Sequence, residues 1–265
     1  MRSPLARLAS ILAAATLSVV SCSSATDVTE VVGELDPAFA DFDPENVSVL
    51  LDGGQVLIES NGLPNHTSPY WSNTNPRDID GITTRTAESD HPLFVEPTVT
   101  SFDRMAPGNI DDFTGSYSLT VTVNPTQASS TTATGLGPIG IAVSGAMIYN
   151  DSEGPGIPLD RASTSLDYSG AHTGPQSYHY HLEPKAWSED DDALIGVIAD
   201  GFFLYGRRDP DGSYPSDLDA SGGHFGATRH HPGGIYHYHT QNELYLDQYY
   251  ILFPGDYQGT PYAIR

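Results

Sequence analysis

Cysteine is almost absent: Cys22 is the only cysteine among 265 residues. A chain with one thiol cannot form an internal disulfide, a four-cysteine zinc site or an iron–sulfur cluster. If Cys22 carries a lipid, thiolate nucleophiles and blue-copper ligation are excluded as well. Any metal must then be bound mainly by His, Asp, Glu or Tyr.

Basic residues are also scarce, with 11 Lys and Arg against 34 Asp and Glu, and Lys185 is the only lysine. Removing residues 1–21 would remove two arginines and give a formal charge of 9 − 34 = −25. Such a surface repels phosphate backbones, so we expect no nucleic-acid partner. The acidity itself is more typical of a surface kept soluble in a salty environment than of a dedicated function.

Common catalytic and nucleotide-binding motifs are missing. The chain has no P-loop, no Gly-x-Ser-x-Gly, no Ser-x-x-Lys, no His-Glu-x-x-His and no Gly-x-Gly-x-x-Gly that opens a helix. These motifs mark phosphate cradles, activated serines and zinc peptidases. We therefore expect no organic cofactor.

The N-terminus resembles a secretory signal. Arg2 and Arg7 precede an apolar stretch over 8–20, and Val19-Val20-Ser21-Cys22 resembles a bacterial lipobox. This predicts a lipoprotein signal peptide at 1–21, with Cys22 lipidated and the protein exported and anchored to the cell-envelope membrane. The alternative is an ordinary signal peptide that leaves Cys22 as a free thiol. No other apolar run approaches the ~20 residues needed to cross a bilayer.

The rest of the chain favours short strands joined by turns, since it is rich in Gly, Pro and Tyr and shows no long amphipathic helix. Residues 22–46 are small and acidic and are interpreted as a tether, and residues 47–265 as one β domain. A glycine turn between two apolar runs predicts a hairpin over 47–58. Alternation predicts a further strand over 119–123.

Three sequence blocks occur twice in the same order, which predicts an internal duplication with halves at about 139–181 and 195–239. The fold class predicted is therefore all-β, an antiparallel sandwich or barrel-like domain with an internal two-fold duplication. The matching blocks are Ile139–Asn150 with Ile195–Gly206, Leu166–His172 with Leu218–His224, and Tyr178–His181 with Tyr236–His239.

The last block of each half reads Tyr-His-Tyr-His. On a strand, alternate side chains share a face, so the two histidines point one way and the two tyrosines the other. Each half also has an upstream histidine after a glycine-containing turn. Imidazoles gathered in this way bind divalent Zn or Cu, and the alternative is that the histidines are simply exposed. The predicted ligands are His172, His179, His181, His224, His237 and His239.

Several acidic residues accompany these histidines. Asp167 and Asp219 precede the histidine turns, where they either accept hydrogen bonds from ligating imidazoles or cap loops. Asp200 occupies a hairpin turn, and turn formation with the following glycine is slightly favoured over catalysis. The run over 209–212 is interpreted as a solvated turn rather than a calcium loop. His230 and His231 are expected at the surface.

At these residues the chain resembles the YHYH-domain family of secreted bacterial proteins. The resemblance rests on Ser60–His66, Ile195–Gly206, Gly223-His224 and the Tyr-His-Tyr-His blocks, and extends over roughly residues 47–255. It implies that His66 joins the site. Family members often carry cysteines beside the Gly-His turn, where this chain has serine. The family has no established reaction, so the resemblance supports an architecture and a site rather than an activity.

Three functions remain open from the sequence. The leading hypothesis is a lipid-anchored envelope protein that binds Zn or Cu through imidazoles, at one shared site or at two. The second is a metal-free module for glycan or another partner, with Tyr70, Trp71 and Tyr249-Tyr250 in an aromatic platform. The third is a metal-dependent hydrolase or oxidoreductase with an open coordination position.

Overall fold

The computed structural model describes residues 33–68, 70, 115–161, 166–173, 177–245 and 249–265. Within these residues the regular elements are strands and short 3-10 segments at Pro37–Asp41 and Leu159–Arg161, which confirms the all-β prediction. The signal peptide, Cys22 and Trp71 lie outside the described residues. The strands are β1 Val47–Asp52, β2 Gln55–Ser60, β3 Tyr117–Thr122, β4 Gly140–Ala142, β5 Met147–Ile148, β6 Ser152–Gly154, β7 Ile157–Pro158, β8 Ala171–Thr173, β9 Tyr178–Tyr180, β10 Leu194–Ile198, β11 Phe203–Tyr205, β12 Gly223–Gly226, β13 Ile235–His239, β14 Leu244–Tyr245 and β15 Tyr249–Tyr250.

The first sheet is antiparallel and has the order β1-β2-β3. Its first two strands form the predicted hairpin, in which Asp52 pairs with Gln55 around the glycine turn. The predicted strand over 119–123 corresponds to β3 and pairs with β2. Alternation along these strands buries one face, which packs into the main core through Val56, Ile58 and Leu119.

The second sheet carries both Tyr-His-Tyr-His blocks and has the order β12-β13-β11-β10-β4-β5-β9-β8. Five of its seven neighbouring pairs are antiparallel, but β5 with β9 and β11 with β13 are parallel. The sheet is therefore mixed rather than fully antiparallel. A parallel pair needs a long connection, and here the loops after β5 and β11 supply it.

The two halves of this sheet pair in the same way. In each half a tight hairpin (β4–β5 or β10–β11) is followed by a strand parallel to its second member and an antiparallel edge strand. The halves meet at β4 and β10, in the middle of the sheet. A duplication would produce this matching, and the duplication itself stays a prediction.

Two glycines allow the halves to meet. A Cβ on Gly196 would lie 2.3 Å from the carbonyl oxygen of Ile141, and one on Gly140 would lie 2.6 Å from that of Val197. Both obstacles are backbone atoms of the facing strand, which cannot rotate away. A side chain at either position would therefore force β4 and β10 apart and disturb the core.

We expect Gly196→Ala to destabilise the protein by about 2–3 kcal/mol because it overpacks the centre of the sheet. The matched control is Gly54→Ala in the first hairpin, where an added Cβ would meet nothing within 4 Å. Urea unfolding of both variants measures the difference. Equal midpoints for the two variants would show that the central strands can separate at little cost.

One large hydrophobic core joins the two sheets, and it contains residues from β2, β3, β4, β10 and β11. Ala38, Phe39 and Phe42 are also buried in this core. They belong to the segment 22–46 that was expected to be a tether. The described part of that segment therefore packs against the β domain.

Among the residues that the structure describes, no helix is long and apolar enough to span a membrane.

Candidate metal centres

The first cluster lies at one edge of the large sheet, on β8, β9 and the residue after β9. His172 pairs across the strands with His179, and their Nε2 atoms are 3.0 Å apart. The ring of His181 lies 4.9 Å from that of His179 and 5.2 Å from that of His172. All three side chains are buried, and each offers one nitrogen within 4.8 Å of the others. The alternation on β9 thus gathers the predicted histidines on one face.

The second cluster repeats this arrangement at the opposite edge, on β12 and β13. His224 pairs across the strands with His237. The Nε2 atom of His239 lies 2.8 Å from that of His237 and 3.2 Å from that of His224. The six histidines predicted as ligands therefore form two clusters rather than one shared site. Five interstrand steps separate β9 from β13, about 24 Å at ~4.8 Å per step.

Backbone carbonyls fix the tautomer of four of these six histidines. In the first cluster, Nδ1 of His179 donates to the carbonyl of Ser177 at 2.8 Å and Nδ1 of His181 donates to that of Asn150 at 2.6 Å. A carbonyl only accepts, so the proton must be on Nδ1. In a neutral ring, Nε2 then presents a bare lone pair to the centre of the cluster.

The second cluster has the same hydrogen bonds. Nδ1 of His237 donates to the carbonyl of Ile235 at 3.1 Å, and Nδ1 of His239 donates to that of Gly206 at 2.7 Å. Nδ1 of His224 lies 2.7 Å from Oδ1 of Asp217. This is the carboxylate–histidine pairing that commonly orients metal ligands.

Burial keeps four of the six imidazoles neutral near pH 7, because it disfavours the charged ring. It lowers the pKa of His181 and of His239 to about 4 and that of His237 to about 3, and it lowers the pKa of His179 well below the usual value. The unprotonated Nε2 atoms of His237 and His239 lie 2.8 Å apart and repel one another. A cation between them would turn this repulsion into coordination.

A carboxylate lies beside each cluster. In the first, Oε1 of Glu153 lies 3.2 Å from Nε2 of His172 and 3.5 Å from Nε2 of His181. In the second, Oδ1 of Asp209 lies 3.5 Å from Nε2 of His224 and 3.6 Å from Nε2 of His239. The second cluster therefore offers three nitrogens and one oxygen within 4.8 Å of one another, whereas in the first the carboxylate lies beside two of the three imidazoles.

Three of these inward-facing atoms are buried without a hydrogen-bond partner in the part of the chain that the structure describes: Oε1 of Glu153, Nε2 of His181 and Oδ1 of Asp209. Burying a polar atom unpaired costs about 1–3 kcal/mol. Three such atoms, all aimed at the centres of the two clusters, could be satisfied by a bound cation. The donor set present is one that suits a divalent ion.

Glu153 was not among the predicted ligands, and Asp209 was expected to lie in a solvated turn. A repeated spacing in the sequence could nonetheless have indicated both carboxylates. Each carboxylate follows by four residues the tyrosine that ends the repeated hairpin, Tyr149 in the first half and Tyr205 in the second. Asn150 and Gly206, whose carbonyls orient His181 and His239, also occupy matching positions.

The tyrosines of both motifs face the opposite side of the sheet, where carboxylates accept their hydrogen bonds. The hydroxyl of Tyr178 donates to Asp167 at 2.5 Å, and that of Tyr236 donates to Asp219 at 2.8 Å. Asp167 and Asp219 also accept from backbone N–H groups of their own turns. The sequence left open whether these two carboxylates accept hydrogen bonds from ligating imidazoles or cap their loops. They cap their loops, and their other partners are tyrosines rather than the clustered histidines.

Asp200 lies on this tyrosine side as well. Its Oδ2 accepts from the hydroxyl of Tyr238 at 2.6 Å and from the N–H of Gly259 at 2.9 Å, while Oδ1 accepts from the N–H of Phe202. It therefore combines the expected turn role with an anchor for the C-terminal segment. In the first half, the hydroxyl of Ser144 takes the matching place beside Tyr180.

His66, which the family resemblance placed near the site, also belongs to the tyrosine side. Its Nδ1 donates to the carbonyl of Thr67 at 2.9 Å, so its Nε2 accepts from the hydroxyl of Tyr180 at 2.7 Å. Its ring packs edge-on against Tyr178. It is thus separated from the first histidine cluster by the strand β9, and we do not count it among the ligands.

We expect Asp167→Ala to destabilise the protein by about 3 kcal/mol, because it strips a buried tyrosine hydroxyl and a buried serine hydroxyl of their acceptor. Asp52→Ala, at the exposed first hairpin, is the control. Thermal unfolding measures stability, and elemental analysis of the folded variant is expected to show unchanged metal content. Loss of metal without loss of stability would instead place Asp167 in the metal site.

The aromatic platform is not seen on the described side chains. Tyr178, Tyr180 and Tyr238 are fully buried, and Tyr70 is 2% exposed and packs against Tyr178. The ring of Tyr250 is covered by the guanidinium of Arg207 at 3.7 Å. Trp71 and the side chain of Tyr249 lie outside the described residues. The two remaining described histidines, His230 and His231, pair with Asp41 and Asp36 respectively.

Comparison with known proteins gives one match. Residues 118–214 match a family described as YHYH protein. The matched region contains the first histidine cluster, with Glu153, and also Asp209 of the second. No curated protein and no solved structure matches the chain.

Proposed function

Because residues 118–214 carry a YHYH domain, we propose that the motif which gives this domain its name is a metal-binding strand, and that this chain binds two divalent ions. The ligands of the first ion are His172, His179, His181 and Glu153. Those of the second are His224, His237, His239 and Asp209. The observation that carries this proposal is the inward direction of unprotonated Nε2 atoms, fixed by backbone carbonyls that hold Nδ1 protonated.

The spacing of the donor atoms favours Zn²⁺ over Cu²⁺. A tetrahedron of donors ~2.0–2.1 Å from an ion has edges of about 3.3–3.4 Å, so each atom has three near neighbours. A square-planar set, as Cu²⁺ prefers, would give each atom two neighbours at about 2.9 Å and one at about 4.1 Å. Nε2 of His239 has three neighbours, at 2.8, 3.2 and 3.6 Å.

Four protein donors fill a tetrahedral zinc site, which is typical of structural rather than catalytic zinc. The low exposure of the histidines, between 1% and 8%, also favours a closed site. We therefore propose that the two ions hold the edges of the large sheet together or are stored there. This reading is preferred over a hydrolase or oxidoreductase with an open coordination position.

The proposal is tested by titrating the metal-free chain with Zn²⁺ and with Cu²⁺ and measuring bound metal by elemental analysis after dialysis. We expect about two zinc ions per chain, in keeping with the two clusters. Zinc well below one ion per chain, in protein that is folded by circular dichroism, would contradict the proposal. Binding of two copper ions that zinc cannot displace would support both binding sites but identify the metal as copper rather than zinc.

We further propose that the protein is exported and anchored through lipid on Cys22, which supports a role in the cell envelope. In cells fed a labelled fatty acid, we expect the label to enter the chain and Cys22→Ser to abolish incorporation completely. Ser21 beside it is left unchanged, so the signal is otherwise intact. Incorporation that persists in Cys22→Ser, or no label in the native chain, would contradict the lipid anchor.

A further inference from the structure

A cavity of about 390 Å³ lies on the tyrosine side of the second half, away from its histidine cluster. Its volume falls within the range of small-molecule pockets, about 300–1,000 Å³. Aromatic rings form much of its wall, from Phe39, Phe202, Phe203, Phe225 and Tyr236. None of the functions discussed above uses this space.

The polar groups of the cavity favour an uncharged ligand. Asp36 contributes a carboxylate and Gln127 an amide, and none of the described residues that line the cavity is lysine or arginine. Asp36 is held in place, because Oδ1 accepts from the N–H of Ala38 and Oδ2 lies 3.0 Å from Nε2 of His231. An anionic ligand would therefore meet a fixed carboxylate, with no lysine or arginine among the described lining residues to bind it.

The two halves of the sheet differ at this place. In the first half, Ser68, His66 and Tyr70 contact Tyr178, which is fully buried. In the second half, the matching Tyr236 is only half-buried and lines the cavity. A segment of the chain itself thus covers the tyrosine in one half, while in the other half the described residues leave open space.

The mouth of the cavity carries an unusually exposed aromatic residue. Phe225, on the edge strand β12, is 71% exposed and is the most exposed large hydrophobic side chain among the described residues. Phe202, on the wall, packs edge-on against Tyr236 with 4.7 Å between ring centres. Exposed and buried rings that meet in one cavity form a surface suited to another ring.

We propose that this cavity binds a small uncharged aromatic molecule of one or two rings, with a hydrogen-bond donor directed to the polar side. The volume of about 390 Å³ lies near the lower end of the range for small-molecule pockets, which fits a ligand of that size. The proposal does not depend on the metal sites, because none of the described residues that line the cavity is a proposed metal ligand.

The test uses saturation-transfer NMR on the purified chain with indole, phenol and benzoate as probes. We expect saturable binding of indole and phenol, and binding of benzoate at least about 10-fold weaker because of its charge. Non-saturable signals for all three probes, or benzoate binding as tightly as indole, would overturn the proposal.

Two variants locate the binding. Ile235→Trp fills the cavity and is expected to abolish indole binding, whereas Ile157→Trp, on an exposed strand elsewhere, is expected to leave it unchanged. Phe225→Ala is expected to weaken indole binding about 5- to 10-fold. Because the side chain of Phe225 is exposed, we expect this variant to fold normally. Indole binding that survives both Ile235→Trp and Phe225→Ala would show that the ring binds elsewhere and overturn the proposal.

Discussion

Replacing His181 by alanine is expected to remove one of two bound ions and leave the other in place. The remaining donors of the first cluster would have to bind the ion with one nitrogen fewer. Outer-shell partners of metal ligands are worth 10- to 100-fold in affinity, so loss of a direct ligand is expected to cost at least about 100-fold. His239→Ala is expected to have the same effect on the second ion, because the clusters lie about 24 Å apart along the sheet.

The control for both variants is His231→Ala, which removes an imidazole that pairs with Asp36 outside the clusters. It is expected to retain both ions. Zinc titration with a competing chelator measures affinity and stoichiometry together. If His181→Ala and His239→Ala kept two ions with unchanged affinity, the histidine clusters would not be metal sites. If either variant lost both ions, the sites would be coupled rather than independent.

Removal of metal from the native chain is expected to lower its melting temperature by about 10–20 °C. A ligand present at 100 times its dissociation constant stabilises the folded state by about 2.7 kcal/mol at each site. For a chain of this size, 1 kcal/mol corresponds to roughly 2–4 °C, and two distant sites contribute additively. The metal-free chain also keeps the unpaired atoms of Glu153 and Asp209 buried.

Scanning calorimetry with excess Zn²⁺ and with EDTA measures this shift. The double variant His181→Ala with His239→Ala is expected to melt at the same temperature in both conditions, which separates site binding from general effects of the chelator. A native chain whose melting temperature is insensitive to EDTA, after full metal removal is verified, would contradict a structural role for the ions.

Much of the histidine arrangement was predictable from the sequence because it depends on local geometry. Alternation on a strand forces His179 with His181, and His237 with His239, onto one face. The upstream histidines could also be predicted as ligands, because each follows a glycine-containing turn that is repeated in both halves. The structure also separates the two clusters, which sequence alone left open. That separation depends on strand order, and strand order is fixed by long-range pairing.

The carboxylates were harder to predict for a different reason. Glu153 and Asp209 are two of 34 acidic residues. Glu153 lies on the three-residue strand β6 and Asp209 in a turn, and both elements are too short for periodicity to indicate the direction of a side chain. Only their equal distance from Tyr149 and Tyr205 distinguishes them. Asp167 and Asp219 were noticed, but their tyrosine partners depend on which face of the sheet their loops cover.

His66 shows where a resemblance in sequence is insufficient. The segment before β3 brings it to Tyr180, on the far side of the strand from the clustered histidines. Similarly, the burial of Phe39 and Phe42 in the core was hidden by the acidic composition around them. In both cases, contacts between residues far apart in sequence decide the position.

Anomalous diffraction from crystals of the zinc-loaded chain tests the central claim most directly. Recorded at the zinc absorption edge, it is expected to show two peaks per chain, one in each cluster, each ~2.0–2.1 Å from three imidazole Nε2 atoms and at a similar distance from one carboxylate oxygen. Peaks only at surface carboxylates, with both groups of rings turned away from a common centre, would contradict the account.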